Sequence, residues 1–262
     1  MSLSSTTPEN LPIQMRGVSV GAMRDANLTV LDGVNWTVAP GDFWVIGGLQ
    51  GSGKSDFLLM TGGLMSPLEG TYFLFGGKMP IFEDARLRER LRMGIVFDGG
   101  QLLNHLTISE NIALPLRYHR NLTKAEAETE VRGMLEVTEL APWADSTPGA
   151  IGRNWRKRAG LARALMLKPE VLLLDNPLAG LDVRHRVWWL NFLREFSEGH
   201  EWMNRSPTTI VVTADDLRPW RNRARHVAVL KDKRFLVLGN WAEALKANDE
   251  LIQEFFTGAQ TD

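Results

Sequence analysis

The sequence predicts an α/β fold built on a mostly parallel core sheet, and three observations carry that prediction. Apolar runs of strand length alternate with helical segments, the pattern of a parallel sheet with crossover helices. One of those strands runs directly into a glycine-rich loop and then a helix. Another, Val171-Leu172-Leu173-Leu174, is apolar at every position, as a parallel strand covered on both faces should be, and it ends in Asp175. Ligands of such sheets bind beyond the C-terminal ends of the strands.

The elements follow in order. Ile13 to Val20 and Leu28 to Val38 alternate apolar and polar residues in part and read as antiparallel strands, with Pro40-Gly41 as a turn. Phe43 to Gly47 is the strand before the glycine-rich loop, and Lys54 to Met60 is the helix after it. Glu69-Gly70 marks a turn before a strand at Thr71 to Phe75. Arg86 to Arg92 is a charged helical segment, and Met93 to Phe97 is another strand. The middle is helical. Thr107-Ile108-Ser109-Glu110 and Thr123-Lys124-Ala125-Glu126 are capping-box patterns, opening helices toward Leu116 and Val137. A third helix runs from Trp155 to Leu167. Strands return at Val171 to Leu174, Thr208 to Thr213, His226 to Lys231 and Phe235 to Leu238, with a long helix, Val183 to Glu198, between the first two. Asn240-Trp241-Ala242-Glu243 caps a C-terminal helix. The early antiparallel strands and the helical middle read as additions to the parallel core.

Composition narrows the class. The 262 residues suit one large domain or a domain with a subdomain, and 44 % hydrophobic residues are enough for a substantial core. A net charge of −1 argues against a dedicated nucleic-acid binder. The absence of cysteine excludes disulfides and thiolate metal sites. The polar stretch Met1 to Asn10 lacks the apolar core of a signal peptide. No apolar run approaches the ~20 residues that span a bilayer, so a membrane role requires a partner that spans.

The strongest motif is Gly48-Leu49-Gln50-Gly51-Ser52-Gly53-Lys54-Ser55, which fits G-x-x-x-x-G-K-[ST]. Gly48, Gly51 and Gly53 let the backbone curl so that its N–H groups, with Ser52, face phosphate oxygens. The helix starting near Gly53 adds its positive end. Lys54 then reaches the β- and γ-phosphates of a nucleotide, and Ser55 ligands a magnesium ion. Asp175, at the end of its strand, holds the same magnesium through water; a helix or turn cap is the lesser alternative for it. ATP and Mg²⁺ are therefore the expected ligands. The five histidines have no metal-ligand spacing. The basic clusters Arg153 to Arg158 and Arg218 to Arg225 read as solvated faces, and Trp188-Trp189 as packing residues.

Further residues carry a resemblance. Arg158-Ala159-Gly160-Leu161-Ala162-Arg163-Ala164-Leu165, Lys168-Pro169-Glu170, Asp175, Pro177 and Gly180-Leu181-Asp182 together resemble the ATP-binding subunits of ABC transporters, from about Ile13 to Gly258. Within them the chain is similar to the ATPase of the bacterial lipid-asymmetry (MCE-type) phospholipid transport system. That likeness rests on Glu110-Asn111-Ile112-Ala113-Leu114-Pro115-Leu116, on Glu243-Ala244-Leu245-Lys246-Ala247-Asn248 and on Phe255-Phe256-Thr257-Gly258. The resemblance implies a P-loop NTPase fold: a RecA-like parallel core sheet, an antiparallel β subdomain and a helical subdomain at roughly 100–160. The ATP-binding domain is expected over 11–245 and a helical tail over 246–262. It also implies head-to-tail pairing with a second ATP-binding subunit, each ATP lying between one chain's phosphate loop and the other's signature segment. It implies an integral membrane permease as partner, contacted through Leu102 to Leu116, and a cytoplasmic, peripheral position on the inner membrane.

The same resemblance exposes departures. Asn176 stands where the family has the glutamate that polarises the attacking water. Ala214 stands where it has a histidine on the γ-phosphate. Asp98 stands where it has a glutamine linking magnesium to the permease contact, and as a carboxylate it is itself a candidate magnesium ligand or substitute base. The signature Leu-Ser-Gly-Gly-Gln falls on Ile151-Gly152-Arg153-Asn154-Trp155. Arg153 or Arg156 is a candidate for offering charge to a phosphate of the paired chain. No aromatic residue occupies Val18 to Met23, where the family commonly stacks adenine. The grip residues are kept and the water-activating ones are altered. The expectation is Mg-ATP binding with weak hydrolysis, or a catalytically inactive, nucleotide-gated regulatory or structural subunit.

Overall fold

The computed structural model describes residues 11–79 and 87–257. The chain opens with β1 (Ile13–Ala22), β2 (Asp25–Val38) and β3 (Phe43–Gly48), then α1 (Lys54–Thr61). It continues through β4 (Glu69–Leu74), β5 (Gly77–Lys78), α2 (Leu87–Arg90) and β6 (Met93–Val96). The helical middle holds α3 (Ile108–His119), α4 (Lys124–Val137) and α5 (Arg153–Leu165). After it come β7 (Val171–Asp175), α6 (Val183–Glu198), β8 (Thr209–Ala214), β9 (His226–Lys231), β10 (Arg234–Gly239), α7 (Trp241–Ala244) and α8 (Glu250–Thr257).

The described strands form two sheets. One has six strands in the order β10-β9-β3-β8-β7-β6 and is parallel except for the β10–β9 edge. The other has four antiparallel strands in the order β2-β1-β4-β5. The α/β expectation, with its antiparallel addition and helical middle, describes this architecture.

Burial explains the layering. β3 and β8 are buried at every position, because the six-stranded sheet is covered on both faces. On one face Phe43, Val45, Leu172, Leu174, Ile210 and Val212 meet the helices α3 to α6. On the other, Trp44, Ile46, Val171, Leu173 and Val211 join α1 and the antiparallel sheet. Removing one such fully buried aliphatic side chain from water contributes about 1.5–3 kcal/mol. Parallel pairing sets Asp175 beside Thr213 and Gly47 beside Ala214, so the C-terminal ends of β3, β7 and β8 meet at one edge.

Three local outcomes differ from the sequence reading. Helix α5 begins at Arg153 rather than Trp155, because Gly152 holds an extended conformation (φ −65°, ψ 159°) suited to the residue before a helix. The C-terminal stretch contains two helices, not one. Asn240 and Glu243 form a capping box for the short α7. Asp249 then accepts from Ile252 N (3.1 Å) and starts α8 afresh. In the charged segment before β6, helix spans only Leu87–Arg90; Arg86 lies outside the described residues, as do Gly258 and Met1 to Asn10. Among the described residues no helix is long and apolar enough to cross a membrane.

Candidate functional site

The glycine-rich loop leaves β3 and enters α1 with Gly51 and Gly53 at φ 81° and 89°, values that side-chain-bearing residues rarely adopt. A Cβ on Gly48 would lie 2.5 Å from Ser52 Oγ, so the bare glycine is what lets the loop fold back on itself. Ser52 Oγ is buried and has no hydrogen-bond partner. A buried hydroxyl without a partner costs about 1–3 kcal/mol, and a ligand oxygen within the loop would relieve that cost.

Lys54 is 8 % exposed and lies back over this loop. Its Nζ donates to the carbonyls of Gly48 (2.6 Å) and Leu49 (2.8 Å) and pairs with Asp215 Oδ1 (2.9 Å). All three of its donors are thereby engaged. Next in sequence, Ser55 Oγ donates to Asp175 Oδ2 (2.7 Å). Thr213 Oγ1 donates to the other oxygen, Asp175 Oδ1 (2.8 Å). The backbone N–H of Asn176 reaches Thr213 Oγ1 (3.1 Å), and its side-chain Nδ2 donates to Asp215 Oδ2 (2.6 Å). These bonds close a polar ring, Lys54–Ser55–Asp175–Thr213–Asn176–Asp215, at the shared strand ends. Asn176 itself has φ +42°, a region that Asn tolerates better than most residues.

The ring fits a triphosphate with its metal. It offers an ammonium, curled backbone and an orphan hydroxyl for phosphate oxygens, and the hard oxygens of Ser55 and Asp175 for magnesium. A bound magnesium ion would neutralise charge on the phosphate oxygens. Beside the ring a cleft of about 590 Å³ is lined by Met23, Ser55, Leu58, Phe97, Gln101 and Asp175, among others. Met23 is exposed, and its N–H donates to Asp56 Oδ1 (2.7 Å).

Asp98 lies in the loop after β6, against α5. Arg153 Nη2 donates to both of its oxygens (3.0 and 3.1 Å), and Lys157 Nζ is 2.9 Å from Oδ1. Partial burial pushes the carboxyl upward, but the Lys157 and Arg153 charges and hydrogen bonds outweigh it and hold Asp98 below the usual carboxylate range. Lys157 is 1 % exposed; it also donates to the carbonyls of Asn176 (3.0 Å), Pro177 (3.3 Å) and Ala179 (2.9 Å). Burial lowers its own affinity for a proton and Asp98 raises it. Gly100 and Gly160 allow the loop and helix backbones to touch: a Cβ on Gly160 would lie 2.7 Å from Gly100 Cα.

Gly48, Gly51, Ser52, Gly53, Lys54, Ser55 and Asp175 thus lie together at the strand ends, with Asn176 beside them. Ala214 is buried at the end of β8. Asp98 lies in the cleft wall with its carboxylate committed to Arg153 and Lys157. Arg153, a candidate for reaching a paired chain, points to its own Asp98. The basic start of α5 is a solvated face only in part: Arg153 is exposed, whereas Lys157 and Arg158 are buried. Lys157 finds four oxygen partners indoors, and Arg158, 3 % exposed, pairs with Glu139 (2.7 Å) and stacks on Trp188 (3.7 Å). Sequence reasoning missed Asp215, Thr213 and Lys157. The signal for Asp215 was available: it directly follows an apolar strand, where parallel sheets place ligand groups.

The chain is similar to known proteins of one family. The family model described as "ABC transporter" matches residues 31–179. "Intermembrane phospholipid transport system ATP-binding protein MlaF" of Escherichia coli K12 is 30 % identical over 243 residues, covering 90 % of this chain and 88 % of that protein. "Probable sulfate/thiosulfate import ATP-binding protein CysA" of Chlorella vulgaris is 32 % identical over 223 residues, covering 84 % and 89 %. Among solved structures, the dimeric bacterial ABC transporter cassette MJ0796 superposes with a TM-score of 0.74 at 28 % identity, over 85 % of this chain and 95 % of that one.

Proposed function

This chain belongs to the ABC transporter family as an ATP-binding cassette, and from that premise we propose that it binds Mg-ATP, hydrolyses it slowly and drives an MCE-type lipid transporter. One observation carries the proposal: the closed ring keeps Lys54, Ser55 and Asp175 together, yet sets an amide, Asn176, where the family has a carboxylate. Lys54 and the loop amides hold the β- and γ-phosphates, with Ser52 adding its unpaired hydroxyl. Ser55 and Asp175 hold the metal. Asn176 is neutral at every relevant pH and Ala214 brings neither donor nor charge, so the water-activating step is weakened. A positioned general base contributes about 10²–10⁴ in rate, and turnover should fall short of a fully equipped cassette by that order unless another group substitutes for the glutamate.

The partners follow from the same reading. A second ATP-binding subunit faces the phosphate loop, and an integral permease holds the chain on the cytoplasmic face of the inner membrane through the segment around α3. Lipid as cargo rests on the likeness to the phospholipid-system ATPase.

A second reading, a nucleotide-gated regulatory or structural subunit, is favoured by Asp98, which is tied to Arg153 and Lys157 of helix α5 in the same chain. Turnover separates the two. Equilibrium titration with labelled Mg-ATP should show saturable uptake by the purified chain, and Lys54→Ala should abolish it. Steady-state phosphate release above the Lys54→Ala level supports the first reading. Binding with no such release supports the second. No saturable binding at all overturns both.

A further inference from the structure

We propose that Asp215 is the general base of this cassette, supplying from β8 the negative charge that Asn176 lacks. The inference rests on the reading that ATP binds with its γ-phosphate at Lys54.

Lys54 marks where the terminal phosphates sit. Asp215 Oδ1 is 2.9 Å from that ammonium, and Oδ2 is 2.6 Å from Asn176 Nδ2. The carboxylate therefore lies between the phosphate grip and the position next to Asp175. The neighbouring carboxylates are committed elsewhere. Asp175 takes Ser55 and Thr213. Asp98 takes Arg153 and Lys157. Asp216 takes Arg218 through both of its oxygens. Among the described residues, Asp215 is the carboxylate that contacts Lys54 directly. Its side chain is 55 % exposed, so water reaches it.

Asn176 gains a role in this arrangement. Only its Nδ2 can face a carboxylate, so the amide is fixed in one orientation and its Oδ1 is turned away from Asp215. The amide holds the carboxylate in place and keeps an acceptor for one proton of a water. Its own position is fixed by the bond from its N–H to Thr213 Oγ1. When a triphosphate takes the Lys54 ammonium, Asp215 Oδ1 loses its partner beside the γ-phosphate. The freed oxygen is then placed to take a proton from a water beside the γ-phosphate. The water oxygen forms a bond to the γ-phosphorus while one water proton passes to Asp215. The bond from that phosphorus to the β,γ-bridging oxygen breaks, and its electron pair stays on ADP. The products are ADP and inorganic phosphate.

A plainer role for Asp215 is counter-ion to Lys54 in the nucleotide-free protein, and the two roles predict opposite results. The test is single-turnover release of labelled γ-phosphate by the purified 262-residue chain at saturating Mg-ATP, with ATP affinity measured in parallel. The wild-type rate should exceed that of Lys54→Ala and rise with pH before levelling. Asp215→Asn should lower the rate about 10²-fold or more, to the background, and abolish the pH dependence, with affinity unchanged or tighter. Asp215→Glu should keep part of the rate. The exchange Asn176→Glu/Asp215→Asn should recover part of it. Thermal melting identifies any variant that fails to fold. A wild-type rate in Asp215→Asn overturns the proposal and supports the counter-ion role. ATP binding without phosphate release above Lys54→Ala overturns it while leaving nucleotide binding intact. Loss of binding by the wild type overturns the nucleotide reading itself.

Discussion

Lys157 shows what one buried ammonium does here. It joins α5 to the loop after β6 through Asp98 and to the loop after β7 through three carbonyls. Removing one partner of a fully buried pair costs about 3–5 kcal/mol. Asp98 is 44 % exposed, so solvent recovers part of that, and Lys157→Met should cost about 2–3 kcal/mol in urea denaturation, with Asp98→Asn costing less. The pH dependence has a definite sign. Asp98 is held below its ordinary value, so its contribution is complete above about pH 4 and is lost as pH falls through the lower folded-state value. Denaturation midpoints at neutral and acid pH should therefore converge between wild type and Asp98→Asn as the solution is acidified. Unchanged separation would mean that the carboxylate contributes nothing through its charge.

At the scale of elements, Asn111 on α3 decides how the preceding loop is held. It is fully buried; its Oδ1 accepts from Leu103 N (2.8 Å), and its Nδ2 donates to the carbonyls of Leu103, Leu106 and Thr107. Asn111→Ala leaves several part-buried backbone groups without this partner, at a cost below the roughly 1–3 kcal/mol of a fully buried group each. Hydrogen exchange at Leu103 to Thr107 should accelerate at least tenfold while the six-stranded sheet stays protected. Equal acceleration throughout would show global destabilisation instead. Which elements exist was largely legible in the chain. Helix α6 spans the Val183 to Glu198 read from the sequence; Asp182 caps it, accepting from His185 N, and Gly199 ends it in a left-handed conformation. β7 was plain because it is apolar on both faces. The break between α7 and α8 was missed: Asp249 caps α8 but also pairs with Lys231, a partner 18 residues away that periodicity does not show. The candidate site was legible where one loop carries it, in Gly48 to Ser55. It was illegible where three strand ends converge, because the approach of Asp215 to Lys54 and Asn176 depends on strand order, which local pattern leaves open.

For the whole molecule, the glycine-rich loop sits at the seam between its two cores. Gly53 packs against Val30 of β2, while Lys54 and Ser55 reach Asp215 and Asp175 beyond β8 and β7. A triphosphate held there contacts the glycine-rich loop and the ends of two further strands, and only in the folded chain. Binding to the native state alone adds about 2.7 kcal/mol at a free concentration a hundred times Kd. For a chain of this size that raises Tm by roughly 5–11 °C, at about 2–4 °C per kcal/mol. Scanning calorimetry with and without Mg-ATP should show the rise in wild type and none in Lys54→Ala. Asp215→Asn separates stability from turnover. It frees the ammonium from its carboxylate but leaves the loop, the orphan Ser52 hydroxyl and the Ser55–Asp175 pair in place, so its shift should equal or exceed the wild-type one. A shift lost in Asp215→Asn together with Lys54→Ala would mean that the carboxylate organises the phosphate loop, and any rate loss in that variant would then belong to binding.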